Sequence, residues 1–176
     1  MTSVSETLKY ITFAKKVTIV KENIFDVLMY LFENYMDDEN QLNPDPERLQ
    51  FELTEAGFHS TQVDKAFDWL EGLTEQQESK QLQQNTAAIR VYQPQEAEKL
   101  NTQCQGFLLS LEQMGILDPV NREVIIDRAI ALEVDELDLD RLKWVILMVL
   151  LNSPGQEKNF AWLEDLVYGS TERSYH

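Results

Sequence analysis

A single cysteine, Cys104, stands in 176 residues. No disulfide can therefore close within the chain, and a four-ligand zinc site has too few thiolates. This usage fits a reducing, cytoplasmic compartment. Histidine is nearly as scarce, with His59 and His176 far apart in sequence. Long apolar runs are missing as well. The longest is Trp144–Leu151, eight residues, about 12 Å of helix at the usual rise against a bilayer core of about 30 Å, so it cannot span a membrane. Near the N-terminus Lys15 and Lys16 interrupt the apolar stretch and no small-residue cleavage site follows, which argues against a signal peptide. The sequence has no glycine-rich phosphate loop and no serine nucleophile elbow, and it implies no cofactor.

Positive charge is also in short supply. Fifteen bases face 31 acids, for a formal net charge of −16. Nucleic acid and anionic membranes repel such a surface. It suits a basic protein partner or an imitation of nucleic acid, or it simply keeps the chain soluble. What the chain does have is a folded composition, 43% hydrophobic and 10% aromatic. At this length folding buries about 70% of the unfolded surface, enough for one good core or two small ones.

The charge is unevenly spread. Residues 1–21 hold four lysines against Glu6, a net +3; residues 22–75 hold fourteen acids against Arg48 and Lys65, a net −12; residues 76–176 carry a net −7. The sign reverses where helical periodicity begins. The opening segment, 1–21, therefore reads as a flexible tail or an addition ahead of the natural start.

Periodicity then predicts helices throughout. Ile24, Leu28, Leu31, Phe32 and Tyr35 mark one over about Ile24–Met36, ended by the polar run Asp37–Asn43. Asp45 and Pro46 open a second, with Leu49, Leu53 and Ala56 on one face and Gly57 as its stop. Ser60 or Thr61 caps a third, carrying Val63, Ala66, Phe67 and Leu70 and ending at Gly72. Residues 74–94 read as a polar, glutamine-rich linker with one strand candidate, Ile89–Tyr92. A long helix follows over about Gln95–Met114, using Ala97, Leu100, Cys104, Phe107, Leu108, Leu111 and Met114, and Gly115 closes it. Asp118–Pro119 opens the next helix, with Val124, Ile125, Ala129 and Leu132 apolar. Asp138 caps one that contains Leu142 and Trp144–Leu151, apolar all round and so central to its domain. Phe160, Leu163 and Leu166 mark a last short helix, leaving 169–176 as a tail. The expected fold is all-α: a three-helix unit at 22–73, the linker at 74–94 and a four-helix unit at 95–168.

Few residues invite a chemical role. Leu53–Phe58 followed by Val63, Ala66 and Trp69-Leu70 has a spacing that occurs in helix-turn-helix units and in small ubiquitin-associated-type bundles. The would-be recognition helix Ser60–Leu70 holds Lys65 as its only base beside Asp64 and Asp68, whereas groove readers carry arginines and lysines. His59 reads as a turn residue. Cys104 lies on an apolar stripe and reads as packing. Asp135, Glu136, Asp138 and Asp140 lack the glycine and ligand spacing of a calcium loop and read as caps and dipole charges. Arg141 and Lys143 are placed to pair with Asp127 or Glu123, beside a buried Trp144.

Several segments run collinearly over roughly residues 22–167: Phe25-Asp-Val-Leu-Met-Tyr-Leu-Phe-Glu-Asn-Tyr35, Ala56-Gly-Phe58 with Trp69-Leu70, Arg90-Val-Tyr92, Gly106-Phe-Leu108 with Leu111-Glu112, and Arg122-Glu123 with Ile126-Asp127-Arg128. The most specific is Leu142-Lys-Trp-Val-Ile-Leu-Met-Val-Leu-Leu-Asn152 with Pro154-Gly155. Together they resemble the bacterial Smg protein family. The resemblance implies a proteobacterial cytoplasmic protein of unassigned role that usually begins near Phe25, encoded beside the DNA-processing protein Smf and grouped with topoisomerase-related genes. It carries over no catalytic residue.

The reading is a non-enzymatic protein-interaction module whose partner has a basic surface. The candidate contact residues are Glu52, Glu55, Asp64, Asp68 and Glu71, with no metal, no cofactor and no membrane. The charge argues against direct nucleic-acid binding, and the pattern sets no oligomeric state. The rival readings are a nucleic-acid-associated or DNA-mimicking protein linked to DNA processing, and an enzyme with an unrecognised site.

Overall fold

The computed structural model describes residues 23–35, 45–80 and 90–173. The tail 1–21, the polar run Asp37–Asn43, Ile89 and residues 81–88 and 174–176 lie outside them. Among the described residues the fold is all-α, with eight helices: α1 Ile24–Tyr35, α2 Pro46–Glu55, α3 Ser60–Lys80, α4 Pro94–Lys99, α5 Thr102–Gln113, α6 Pro119–Ile130, α7 Leu139–Leu151 and α8 Glu157–Arg173. None is long and apolar enough to cross a membrane. The chain forms two compact units, one up to Asp68 and the other from Trp69 onward.

In the first unit the expected stripe of α1 is buried at Ile24, Leu28, Leu31 and Phe32. Asp45 caps α2 by accepting from the Glu47 amide, with Pro46 at the first position. Leu49 and Leu53 turn inward. Gly57, at φ 96°, ends the helix in the left-handed region that glycine enters without steric cost. The turn brings Phe58 into the core, where Tyr30 packs edge-on against it at 5.3 Å. The His59 carbonyl accepts from the Val63 amide, so α3 starts one residue ahead of the expected Ser60 or Thr61 cap.

The third helix does not stop at Gly72, nor does a linker begin at 74: α3 continues to Lys80. Leu73, 1% exposed, extends the apolar stripe past the glycine. Gly72 serves packing instead. A Cβ there would lie 2.4 Å from Nη1 of Arg128, so the missing side chain leaves room for a guanidinium laid across the helix.

In the second unit residues 90–93 are not a strand. The only β-type pairing among the described residues is an isolated bridge between Leu100 and Leu137. That bridge explains a second departure, because the single helix expected over Gln95–Met114 is broken in two. Leu100 turns extended, at φ −100° and ψ 97°, and is fully buried beside Leu137. Asn101 then caps α5, its side chain accepting from the Cys104 amide at 3.0 Å. Ala97 and Met114, expected on the apolar face, are exposed. Gly115, at φ 72°, closes α5 as expected.

The core runs through α7. Asp138 caps it by accepting from the Arg141 amide at 2.8 Å, and Leu142 and Val145–Leu150 are all buried. It packs on α5, α6 and α8, which covers it on several sides and accounts for the apolar run. Each such side chain taken from water contributes about 1.5–3 kcal/mol. The last helix is longer than expected, reaching Arg173, and Val167, a helical step after Leu163, is also buried. Asn121 and Ser153, buried polar side chains of this unit, are matched. Ser153 Oγ lies 2.7 Å from the Val149 carbonyl and 2.9 Å from Asn121 Oδ1, while Asn121 Nδ2 donates to Asp118 at 2.8 Å.

Candidate functional site

The sequence-nominated acids sit on α2 and α3, where the structure gives them different surroundings. Glu52 is engaged within its own unit. The Tyr35 hydroxyl donates to one carboxylate oxygen, and Arg48 Nε donates to the other at 2.8 Å. Those two hydrogen bonds, Tyr35 first, hold the Glu52 carboxyl below the usual carboxylate range. The same bond to Glu52, helped by burial, pushes the Tyr35 phenol up to about 12. Glu52 therefore joins α1 to α2.

Glu55, Asp64 and Asp68 are exposed. Asp64 accepts from Gln50 Nε2 at 2.5 Å, which ties the outer faces of α2 and α3 together. Asp64 and Asp68 are one turn apart and share a face. Glu71 is exposed further along α3, in the second unit.

One residue of this surface went unnoticed in the sequence. Phe51 is 68% exposed, with Glu47 and Glu55 one turn before and after it, both exposed. Its signal was available, since it falls two residues after Leu49 and off the Leu49–Leu53 stripe. A large aromatic ring left in water between two carboxylates is the informative kind of surface residue. The positive charges here are few. Arg48 is held at Glu52, and Lys65 is half-buried.

In the second unit several charged residues pair with one another. Arg90 pairs with Glu96 at 2.6 Å and with Glu123 at 2.9 Å. Arg122 pairs with Glu123 at 3.0 Å and with Glu112 at 2.7 Å. This half-buried network lowers the Glu96 carboxyl, chiefly through its bond to Arg90. Glu123 is thus taken by Arg90 and Arg122. Lys143, expected to reach Asp127 or Glu123, lies instead 3.3 Å from Asp140, and Arg141 lies 3.7 Å from Asp138. Trp144 is half-buried, edge-on to Tyr168 at 5.7 Å.

The isolated chemical groups have structural partners. The Cys104 thiol is buried and donates to the Leu137 carbonyl at 3.3 Å, and burial pushes it up to about 11, far from the thiolate a nucleophile needs. His59 is exposed in the α2–α3 turn. Asp138 serves as a cap, and Glu136 accepts from Asn101 Nδ2 at 3.1 Å. Among the described residues no group of three His, Cys, Asp or Glu side chains is placed to hold a metal ion.

Residues 24–176 match the family model described as a protein of unknown function, DUF494, and the chain belongs to that family. It is 54% identical over 159 residues to the Protein Smg homolog of Nitrosococcus oceani, covering 89% of this chain and 100% of that protein. It is 48% identical over 157 residues to the Protein Smg homolog of Alkalilimnicola ehrlichii, with the same coverage of 89% and 100%. No solved structure matches the chain.

Proposed function

We propose that the chain is a non-enzymatic protein-interaction module, and that the outer face of α2 and the start of α3 receives a basic protein segment carrying an apolar residue. The observation behind this reading is Phe51, 68% exposed between Glu47 and Glu55, on a stretch with fourteen acids against two bases over residues 22–75. Acidic residues around an aromatic anchor attract a basic partner from a distance and give it one apolar contact on arrival. The exposed residues of α3, from Ser60 through Asp64 and Asp68 to Glu71, include acids and no base. Such a face repels phosphate, which weighs against groove reading by this helix-turn-helix spacing.

The test is capture of the full chain from its own cell extract with and without nuclease, followed by direct titration of the captured protein. Reversing Asp64, Asp68 and Glu71 to lysine together should weaken binding, as should Phe51→Ala alone. Wild-type affinity should fall as salt rises from about 50 to 300 mM, since screening shortens the reach of exposed charges. Capture lost on nuclease treatment would favour a nucleic-acid-associated role. Affinity that ignores salt and the triple reversal would move the contact off this face.

A further inference from the structure

Glu47, Phe51 and Glu55 stand at successive turns of one face of α2, all of them exposed. Asp64, on α3, is joined to this helix through its bond from Gln50 at 2.5 Å. The exposed base beside them, Arg48, is already held at Glu52. The first unit thus offers solvent an aromatic ring among three carboxylates.

The chain carries a segment of the matching chemistry. Of the three stretches into which charge divides it, only residues 1–21 are basic, with Lys9, Lys15, Lys16 and Lys21 against Glu6. Ile11, Phe13, Val17 and Ile19 are interspersed among those lysines. The family match starts at residue 24, so the segment is an addition to the shared fold. It leads directly into α1, and α1 leads to the face. Ile24 is eleven residues from Tyr35, about 17 Å along a helix, and the Tyr35 hydroxyl meets Glu52, the neighbour of Phe51. The nine residues from Lys15 to Ile24 reach about 30 Å when extended. Phe13, Lys15 and Lys16 can therefore come within range of Phe51 and its carboxylates.

We infer that residues 1–21 dock in cis on this face, lysines against Glu47, Glu55 and Asp64 and an apolar side chain against Phe51. The inference rests on the reading of the face as a receptor for a basic segment. Charge and tethering together select this occupant. The segment is +3 and the stretch that holds the face is −12, so the two attract, and the rest of the chain, at −7, is repelled. A short tether holds the segment at an effective concentration in the millimolar range. A weak charge-steered contact then forms within one molecule at any protein concentration, where a free segment of the same composition would need to be that concentrated. A separate basic protein must displace the segment, and its apparent affinity falls by the fraction of chains whose face is open. The segment acts as a brake on partner binding.

Paramagnetic broadening in the full chain tests it. Thr12→Cys can be labelled selectively with a nitroxide, since Cys104 is buried. The label should broaden the amide signals of Glu47–Glu55 at about 50 mM salt, and the signals should recover at about 500 mM as screening shortens the attraction. Changing Lys15, Lys16 and Lys21 to glutamine together should remove the broadening, and Phe51→Ala should reduce it by about half or more. Phe51 is exposed, so circular dichroism of Phe51→Ala should match the wild type, which separates lost docking from lost fold. A synthetic peptide of residues 1–21 should bind the lysine-to-glutamine chain severalfold more tightly than the wild type, whose face is already occupied. Absence of broadening in the wild type overturns cis docking. Peptide binding that Phe51→Ala abolishes would then leave the face a receptor for basic segments, whereas no peptide binding to either chain would remove that reading as well.

Discussion

Trp69 and Arg128 exchange hydrogen bonds across 59 positions of sequence: the indole Nε1 donates to the Arg128 carbonyl at 2.9 Å, and Arg128 Nη1 donates to the Trp69 carbonyl at 3.2 Å. The guanidinium also lies 5.9 Å from the indole centroid. This pair fixes α3 to α6 within the second unit. It sets the identity of residue 72, where a side chain would meet Arg128 Nη1, and it buries a cation whose pKa falls below its ordinary value through loss of hydration.

The sign of a Gly72→Ala substitution should therefore depend on Arg128. In the wild type the added methyl displaces the guanidinium from the Trp69 carbonyl, and stability should fall by about 1 kcal/mol despite the better helix propensity. In an Arg128→Ala background the same change should stabilise by up to about 1 kcal/mol, from propensity alone. A double-mutant cycle in urea measures this. The same sign in both backgrounds would mean that Gly72 is not there for Arg128.

Val145 is fully buried at the centre of α7. Val145→Asp would leave a charge without a counter-ion in that core and should cost more than about 4 kcal/mol, enough to unfold the second unit. A soluble variant with an unchanged thermal midpoint would refute the central place of α7.

Lys99 closes α6 from outside, its ammonium donating to the Ile130 carbonyl at 2.7 Å and also to the Leu132 carbonyl. The Ile130 carbonyl is one of those a helix leaves unpaired at its C-terminal end, while the Leu132 carbonyl, past the helix, also accepts from the Val134 amide. Lys99→Met keeps the stem and removes the donor. It should cost about 1 kcal/mol and lower the thermal midpoint by roughly 3 °C. No change in midpoint would assign the Ile130 carbonyl to water.

What the sequence disclosed followed how local each cause is. Asp45 with Pro46, Asp118 with Pro119, and Asp138 act on amides two or three residues away, and all three helix starts were legible. The stripe Ile24, Leu28, Leu31, Phe32 and the middle of the apolar run, Val145–Leu150, reported burial directly. The break at Leu100 did not show. Leu100 and Cys104 keep helical spacing across it, and its cause is the bridge to Leu137, remote in sequence. Gly72 was misleading for the same reason, since a glycine that makes room for Arg128 looks like one that ends a helix. At the candidate site the acids were visible as composition. That Glu52 is committed to Tyr35 and Arg48 while Phe51 stands in solvent required the geometry of α1 against α2.

Glu164 gives a pH signature in the second unit. Half-buried on α8, its carboxyl is raised above the ordinary value by loss of hydration. A raised folded-state pKa means that this group favours the fold most when protonated. Its contribution is full below the unfolded value of about 4.3 and is lost as pH rises through the folded value. Glu164→Gln should therefore raise the thermal midpoint at pH 7 by about 1–2 °C, a small effect because the group is partly hydrated. The gain should vanish near pH 4. A gain independent of pH would trace to packing and not to charge.

The last prediction uses the bond that removes Glu52 from the outer face. Because the Tyr35 hydroxyl donates to Glu52, removing its proton places a phenolate against a carboxylate, and the phenol is pushed up to about 12. The ordinary tyrosine value is about 10. The folded value is the higher of the two, so the bond contributes its full stability below about pH 10 and loses it as pH rises through about 12. Nuclear magnetic resonance of the tyrosine rings should show Tyr35 titrating about two units late. Glu52→Gln removes the carboxylate charge, and the Tyr35 titration should then move back toward pH 10. Tyr35→Phe should release Glu52 upward toward the ordinary carboxylate range while leaving the Arg48 bond in place. An unshifted Tyr35 titration in the wild type would free Glu52 for the outer face and restore it beside Glu55, Asp64 and Asp68 as a residue open to a basic partner.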